Sequence, residues 1–403
     1  MNKINLVVLL ILTSILPALS QDWPNWRGPN RNGITDDKNW SYEALHNGPD
    51  ILWQINVGKG YSSVTVNGDH LYTMGNEDLK NIVFCINTQT GKEVWRFEYE
   101  SSDRFHYGSL STPVYEKNCV YVSGRNGNVF SLNAETGQQK WHTNFMEEYN
   151  AERPKYGFSG SPVIEDDLII LNAGKSGIAL NKFTGEKVWG DGEGRAGYAT
   201  SVIYFYKGEK CAMIFNHRQL NAVKISNGEL LWSFPWVFND GADSPDPVVI
   251  GNQVFISTAY RNGATMIDFK DNKPVQKWFK KDIQNEFGSS IYLNGYVYVP
   301  QGDTRHPTAY LNCIDFNTGK QMWSRDTGHC SIILIDQKFI VLNQWGELTI
   351  MEANEKGYQD LAKAKIVETS KDIRCWTAPV LADGKLYVRT DTGDLVCVDV
   401  SIR

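Results

Sequence analysis

From residue 51 to its end the chain is a succession of short apolar runs, rich in β-branched and aromatic residues, separated by polar turns. Val120-Tyr121-Val122, Val297-Tyr298-Val299 and Leu386-Tyr387-Val388 are typical; such runs are too short for helices and suit half-buried strands. A longer period groups them. A Gly stands four residues before a Trp in Gly91/Trp95, Gly137/Trp141, Gly185/Trp189, Gly228/Trp232 and Gly319/Trp323. With Trp53 before them and Trp278 after a divergent turn, Asp271-Asn272-Lys273, successive Trp lie 42 to 48 residues apart. That interval accommodates four antiparallel strands and their turns. A Ser/Thr-rich segment opens each period, as in Ser111-Thr112-Pro113-Val114 or Ser161-Pro162-Val163. The Gly supplies the positive φ of a tight hairpin turn, and the Trp reads as packing between neighbouring sheets.

Two periods are irregular. Residues 331–366 carry strands at 339–342 and 347–351 without a Trp anchor, and residues 377–400 hold only three strands. The missing fourth strand is supplied by Ile51-Leu52-Trp53, so the two ends of the chain share a sheet and close a ring. The expected fold is therefore all-β: an eight-bladed β-propeller of four-stranded antiparallel blades. Residues 1–20 read as a signal peptide, 21–50 as a segment packing on the propeller, and 51–403 as one propeller domain. A length of 403 residues alone predicts two or three domains, and the unbroken repeat overrides it.

Composition and charge narrow the picture. With 41% hydrophobic and 21% charged residues the chain has a large core and is not disordered. A net charge of −6 gives no electrostatic case for nucleic acid or an anionic membrane. Lys3, the apolar stretch 6–19 and Ala18-Leu19-Ser20 resemble an export signal, which places the mature chain in the periplasm or outside the cell. No Cys lies near the cleavage point, so no membrane anchor is expected. The seven cysteines are odd in number, so at least one is free or bonded to another chain, and they form no C-x-x-C pair, so no metal or redox motif is expected. Cys85, Cys119, Cys313 and Cys397 sit in apolar runs as small buried hydrophobes.

The Asn/Asp-x-x-Thr-Gly-x-x-x-Trp turns and the opening Trp23-Pro24-Asn25-Trp26-Arg27-Gly28-Pro29 resemble the pyrroloquinoline-quinone-like (PQQ-like) β-propeller repeat family over residues 22–400. The resemblance implies the fold and several functions: quinone-dependent dehydrogenases, the lipoprotein scaffold of outer-membrane assembly, and other secreted bacterial proteins. The dehydrogenase branch holds its quinone with Ca²⁺, often beside a disulfide between adjacent cysteines. No two cysteines are adjacent here, so no cofactor is expected and PQQ with calcium is disfavoured.

Candidate chemistry gathers in the loops opposite the Thr-Gly turns. Nine of the fourteen Arg fall there: Arg104, Arg125, Arg153, Arg195, Arg218, Arg261, Arg305, Arg374 and Arg389. His106, His217, His306 and His329 join them, with Tyr107, Tyr156, Tyr198, Tyr260, Trp345 and Trp376. Guanidinium grips carboxylates bidentately, so an anion with flat faces, an acidic oligosaccharide or polysaccharide, is the expected ligand. The corresponding reaction is β-elimination on a uronate, as a lyase or dehydratase giving a 4,5-unsaturated product. His217, His306, Tyr260 and His106 are its candidate acids and bases. Arg125, Tyr156, Arg195, Tyr198, Arg218, Arg261, Arg305, Trp345, Arg374 and Trp376 are the candidate binding residues. Two other readings stand beside it. The rim Arg can pair with Asp243, Asp246, Asp303 or Glu286. The loops can instead form a non-catalytic protein-docking surface through Phe234, Trp236, Val237 and Phe238; quinone-dependent oxidation is third.

Overall fold

A computed structural model describes residues 21–100, 108–190, 192–237, 244–306 and 308–402; the expected signal segment and His106 lie outside them. Eight antiparallel sheets follow one another around an axis, and each is one sequence period. Blade 1 shows the plan, from inner to outer strand: Thr65–Asn67, His70–Glu77, Lys80–Asn87 and Glu93–Glu100. Blades 2 to 6 repeat it, with inner strands starting at Val114, Val163, Val202, Val248 and Ile291. Blade 8 combines Val380–Ala382, Lys385–Arg389 and Asp394–Asp399 with Asp50–Asn56, which pairs antiparallel to Asp394–Asp399 and closes the ring as expected.

The Gly and Trp of each repeat prove to be partners across blades. The indole N–H of Trp95 donates to Ala134 O in the next blade at 2.9 Å, and those of Trp53, Trp141, Trp189 and Trp278 donate likewise to Thr88, Lys182, Ile225 and Phe316. A Cβ on Gly137 would lie 2.6 Å from the Trp95 ring, and one on Gly91, Gly185, Gly228 or Gly319 would strike the preceding blade's indole in the same way. Gly is thus required twice at these turns, by positive φ and by the ring beneath it. Where the turn diverges, at Asp271-Asn272, the indole N–H of Trp232 is buried without a partner and its ring stacks on Phe269, centroids 5.2 Å apart.

Blade 7 lacks the anchor Trp of its outer strand, and the N-terminal segment supplies the filling. Its outer strand, Gly357–Lys365, has Ala362 and Ala364 facing a cluster that includes Trp40 and Leu45. All seven cysteines are unpaired. In blades 1, 6 and 8, Cys85, Cys313 and Cys397 each stand between a Tyr and a Trp on the flanking strands. Burial pushes their thiols up to about 12, which makes them inert packing groups.

Replacing Gly137 by Ala is expected to cost about 2–4 kcal/mol, from left-handed strain plus overlap with Trp95. Gly251, with φ +60° and nothing within 4 Å, carries only the strain term, about 1–2 kcal/mol. Denaturant midpoints of G137A and G251A measure the difference, and equal losses would refute the interlock.

Candidate functional site

The inner strands bring the Ser/Thr segments together around the axis. In blades 1 to 5 an N–H group just before the inner strand points past the end of its own ladder and finds an acceptor on the next blade. Ser63 N donates to Thr112 Oγ1 at 3.0 Å, Thr112 N to Ser161 Oγ at 2.9 Å and Ser161 N to Thr200 Oγ1 at 3.1 Å. Thr200 N then donates to Asp246 Oδ1 at 2.8 Å, and Asp246 N to Ser289 Oγ at 3.2 Å. Asp246 is the carboxylate in this otherwise hydroxyl-bearing series.

That carboxylate holds the N-terminal segment inside the channel. Trp26 Nε1 donates to Asp246 Oδ2 at 2.8 Å, and Arg27 Nη1 lies 3.7 Å from the same oxygen. Around them Trp23 pairs with Val66, Pro24 O accepts from Tyr115 N, and Arg31 donates to Ile164 O. Arg27 also donates to Ser290 O at 2.6 Å, and Ile34–Thr35 runs parallel to the inner strand of blade 7. The segment therefore bridges most of the ring. Burial pulls the Arg27 guanidinium down and pushes the Asp246 carboxyl up, so the ion pair itself adds little stability. Loss of one partner is another matter, since it strands the rest.

Above this plug a cavity of about 420 Å³ opens on the face opposite the Thr-Gly turns. Trp26 and Asp246 form its floor, Tyr156 and Tyr198 one wall, and Phe287 with Trp376 another. Tyr260 and Glu286 stand at its lip: the phenol donates to Glu286 Oε1, and Thr304 N donates to Oε2 at 2.6 Å. Burial, followed by Glu286, pushes the Tyr260 phenol up, which keeps it protonated. Tyr260 and Arg261 have φ of +58° and +70°, unusual for large side chains.

The cavity gathers five of the expected residues: Arg125, Tyr156, Tyr198, Tyr260 and Trp376. Arg125 is buried with its guanidinium turned to backbone, donating to Tyr156 O from Nε at 2.8 Å and from Nη2 at 2.6 Å. Burial, with Arg153 nearby, pulls it down to about 10. Arg305 lies one layer out, its guanidinium 3.7 Å from the Tyr260 ring centroid and bonded to Asp303, the ion-pair reading of that Arg. Arg374 sits over Trp345 at 4.4 Å and donates to Gln344 Oε1. His217, Arg195 and Arg218 cluster on the loops of blades 3 and 4, away from the cavity lining; Arg261 and His306 are exposed. Arg389 is buried at the join of blades 8 and 1, donating to Ser62, Met74 and Gly58 carbonyls. Of the apolar docking candidates Val237 is 65% exposed, Trp236 is buried against Thr258, and Phe238 lies outside the described residues.

Trp26, Asp246, Glu286 and Phe287 were not identified as pocket residues by sequence reasoning. The first belongs to a segment remote from the repeats; the signal for Asp246 was a carboxylate at a Ser/Thr position of the period.

A family model described as "Outer membrane protein assembly factor BamB" matches residues 46–144 and 79–325. The chain belongs to the PQQ-like β-propeller repeat family. A Yersinia pestis outer membrane protein assembly factor BamB is 22% identical over 86% of this chain and 77% of that protein. The Moraxella catarrhalis BamB crystal structure has a TM-score of 0.63 at 14% identity, covering 87% of this chain and 99% of that one. The quinohemoprotein alcohol dehydrogenase of Comamonas testosteroni reaches 0.66 at 13% identity, covering 95% and 81%. Some family members are enzymes, but these relatives overturn the expected uronate lyase or dehydratase, and the acidic oligosaccharide expected as its partner finds no support among them. The physical reason is visible in the rim. The guanidiniums of Arg125, Arg305 and Arg374 are turned to carbonyls, rings and Asp303, and His217 and His306 do not join Tyr260 at the cavity.

Removing Asp246 as Ala is expected to cost about 3–5 kcal/mol, since the Thr200 and Trp26 donors and Arg27 all lose their acceptor. Limited proteolysis should then cut within residues 22–35, and an uncut segment would refute the anchor. Burial holds His217 and His329 below the ordinary 6.5. Both are expected neutral at pH 7, contributing stability that is complete above about pH 6.5 and lost as pH falls through their folded values. Ring-proton NMR titration with midpoints at or above 6.5 would contradict this.

Proposed function

We propose that this chain is a non-catalytic scaffold that works outside the cytoplasm, docking a protein partner in assembly at the outer membrane. The supporting observation is the similarity to assembly factors along most of both chains, joined to a rim on which His217 and His306 stand apart from the cavity lined by Tyr260. The rim offers side chains suited to protein contact: Trp345, Phe287 and Tyr156 are 41%, 42% and 38% exposed, and Val237 and Phe279 protrude nearby. Aromatic anchors of this kind dominate binding energy at protein interfaces.

The dehydrogenase branch calls for a tricarboxylate quinone and a divalent cation. The cavity fits them poorly. Among the described residues, the one guanidinium of the lining, Arg125, is turned to carbonyls, Glu286 would repel the quinone, and no group of three His, Cys, Asp or Glu could hold the ion.

Deleting the chain in its host is expected to lower the amount of folded outer-membrane proteins at least twofold, read by heat-modifiability on gels. A rim variant combining F287S and W345S should reproduce the loss while remaining folded. Normal assembly in the deletion strain would overturn the scaffold reading, and full rescue by the rim variant would move docking elsewhere.

A further inference from the structure

We propose that the central cavity is an aromatic cage for an organic cation, an alkylammonium or guanidinium group such as a partner's Lys or Arg side chain. The inference takes the scaffold reading only for the source of that cation; the cage is argued from the cavity itself.

Three observations converge. The walls are electron-rich rings: Tyr156 and Tyr198 stand with centroids 6.0 Å apart at 48°, and Phe287 and Trp376 5.2 Å apart at 59°, above the Trp26 floor. Cations are drawn to such faces, most strongly where water is excluded. Two carboxylates, Asp246 and Glu286, line the same space, each residue no more than 6% exposed; Asp246 is already paired with Arg27, so the charge open to a ligand is that of Glu286. A carboxylate has about four acceptor positions. Glu286 uses three, for the Tyr260 hydroxyl and the Thr304 N–H and hydroxyl, so capacity remains for a donor from the cavity. Among the described residues the one guanidinium of the lining, Arg125, is directed to the Tyr156 and Gly108 carbonyls.

The rim already uses this chemistry with its own cations. Arg305 lies over Tyr260, Arg374 over Trp345, and Lys155 Nζ is 5.0 Å from the Tyr156 centroid. Strain points to the same place. Tyr260 and Arg261 keep their left-handed backbone because the phenol is tied to Glu286 and Arg261 N donates to Gln284 Oε1 at 2.6 Å. Costly conformations of this kind persist where the surroundings hold a site in shape. The volume, about 420 Å³, is at the small end for ligand pockets and suits one long side chain rather than a folded element.

Calorimetric titration of the full mature chain tests this with N-acetyl-lysinamide, N-acetyl-argininamide, the uncharged isostere N-acetyl-norleucinamide, N-acetyl-glutamate amide and methyl glucoside. The two cationic probes are expected to bind at least tenfold tighter than norleucinamide and the others. E286Q and, independently, Trp376→Leu should each weaken the cationic probes five- to tenfold; the second guards against a displaced Tyr260 turn in the first. Cadaverine and Gly-Gly-Lys-Gly-Gly separate the sources: a tighter peptide assigns a partner side chain, a tighter diamine a free small cation. Equal binding of norleucinamide, preference for the glutamate or glucoside probe, or no cationic binding overturns the cage. A chain that supports assembly but binds no cation refutes the cage alone; one that binds cations but is dispensable for assembly refutes the scaffold alone.

Discussion

Backbone N–H groups at the centre of a ring of sheets have nowhere to go. Eight inner strands converge on one axis, and in five of them an amide just before the strand extends beyond its own ladder toward the next blade. An unpaired buried amide costs as much as a lost hydrogen bond. The chain answers with a hydroxyl or carboxylate on the following blade, from Ser63 through Thr112, Ser161, Thr200 and Asp246 to Ser289. Blades 1 to 6 are thereby linked in succession, and the Ser/Thr segments that open their periods have a physical explanation.

At the perimeter a second ring does the complementary task with apolar groups. The indoles of Trp53, Trp95, Trp141, Trp189 and Trp278 lie on the next blade's turn Gly and donate to the next blade's backbone. The two rings tolerate local departures because other parts of the chain fill them. Trp232 loses its carbonyl and keeps a stacking partner in Phe269; blade 7 lacks its Trp and receives Trp40 and Leu45 from the N-terminal segment. The same segment threads the axis, and its tether to Asp246 turns the channel into a pocket that opens on the loop face.

The loop-face arginines teach a caution about reading function from composition. Arg125 and Arg389 are buried and grip carbonyls of adjoining loops, and burial pulls Arg389 down to about 9. Guanidinium suits this task because its five N–H donors can hold several backbone oxygens at once. Enrichment of Arg on one rim therefore reflects, in part, how long loops are fastened at blade corners. The remaining rings and the carboxylates Asp246 and Glu286 give the pocket its character, and that character does not match the anion for which the Arg count argued.

The repeat, its eight-fold multiplicity, the shared closing blade and the face carrying the loops were all legible in the sequence. Strand periodicity, Gly turns and Trp anchors are local signals, repeated often enough to be unambiguous. The tertiary structure alone decided which Gly meets which Trp, because that pairing crosses blades. It alone put Trp26 beneath the pocket, 220 residues from Asp246, since no local pattern encodes a segment threading an axis. It also separated His217 from Tyr260, although both lie on loops of the same face. A residue's loop is set by strand periodicity, whereas its neighbours are set by where its side chain points and which carbonyl, ring or carboxylate claims it first.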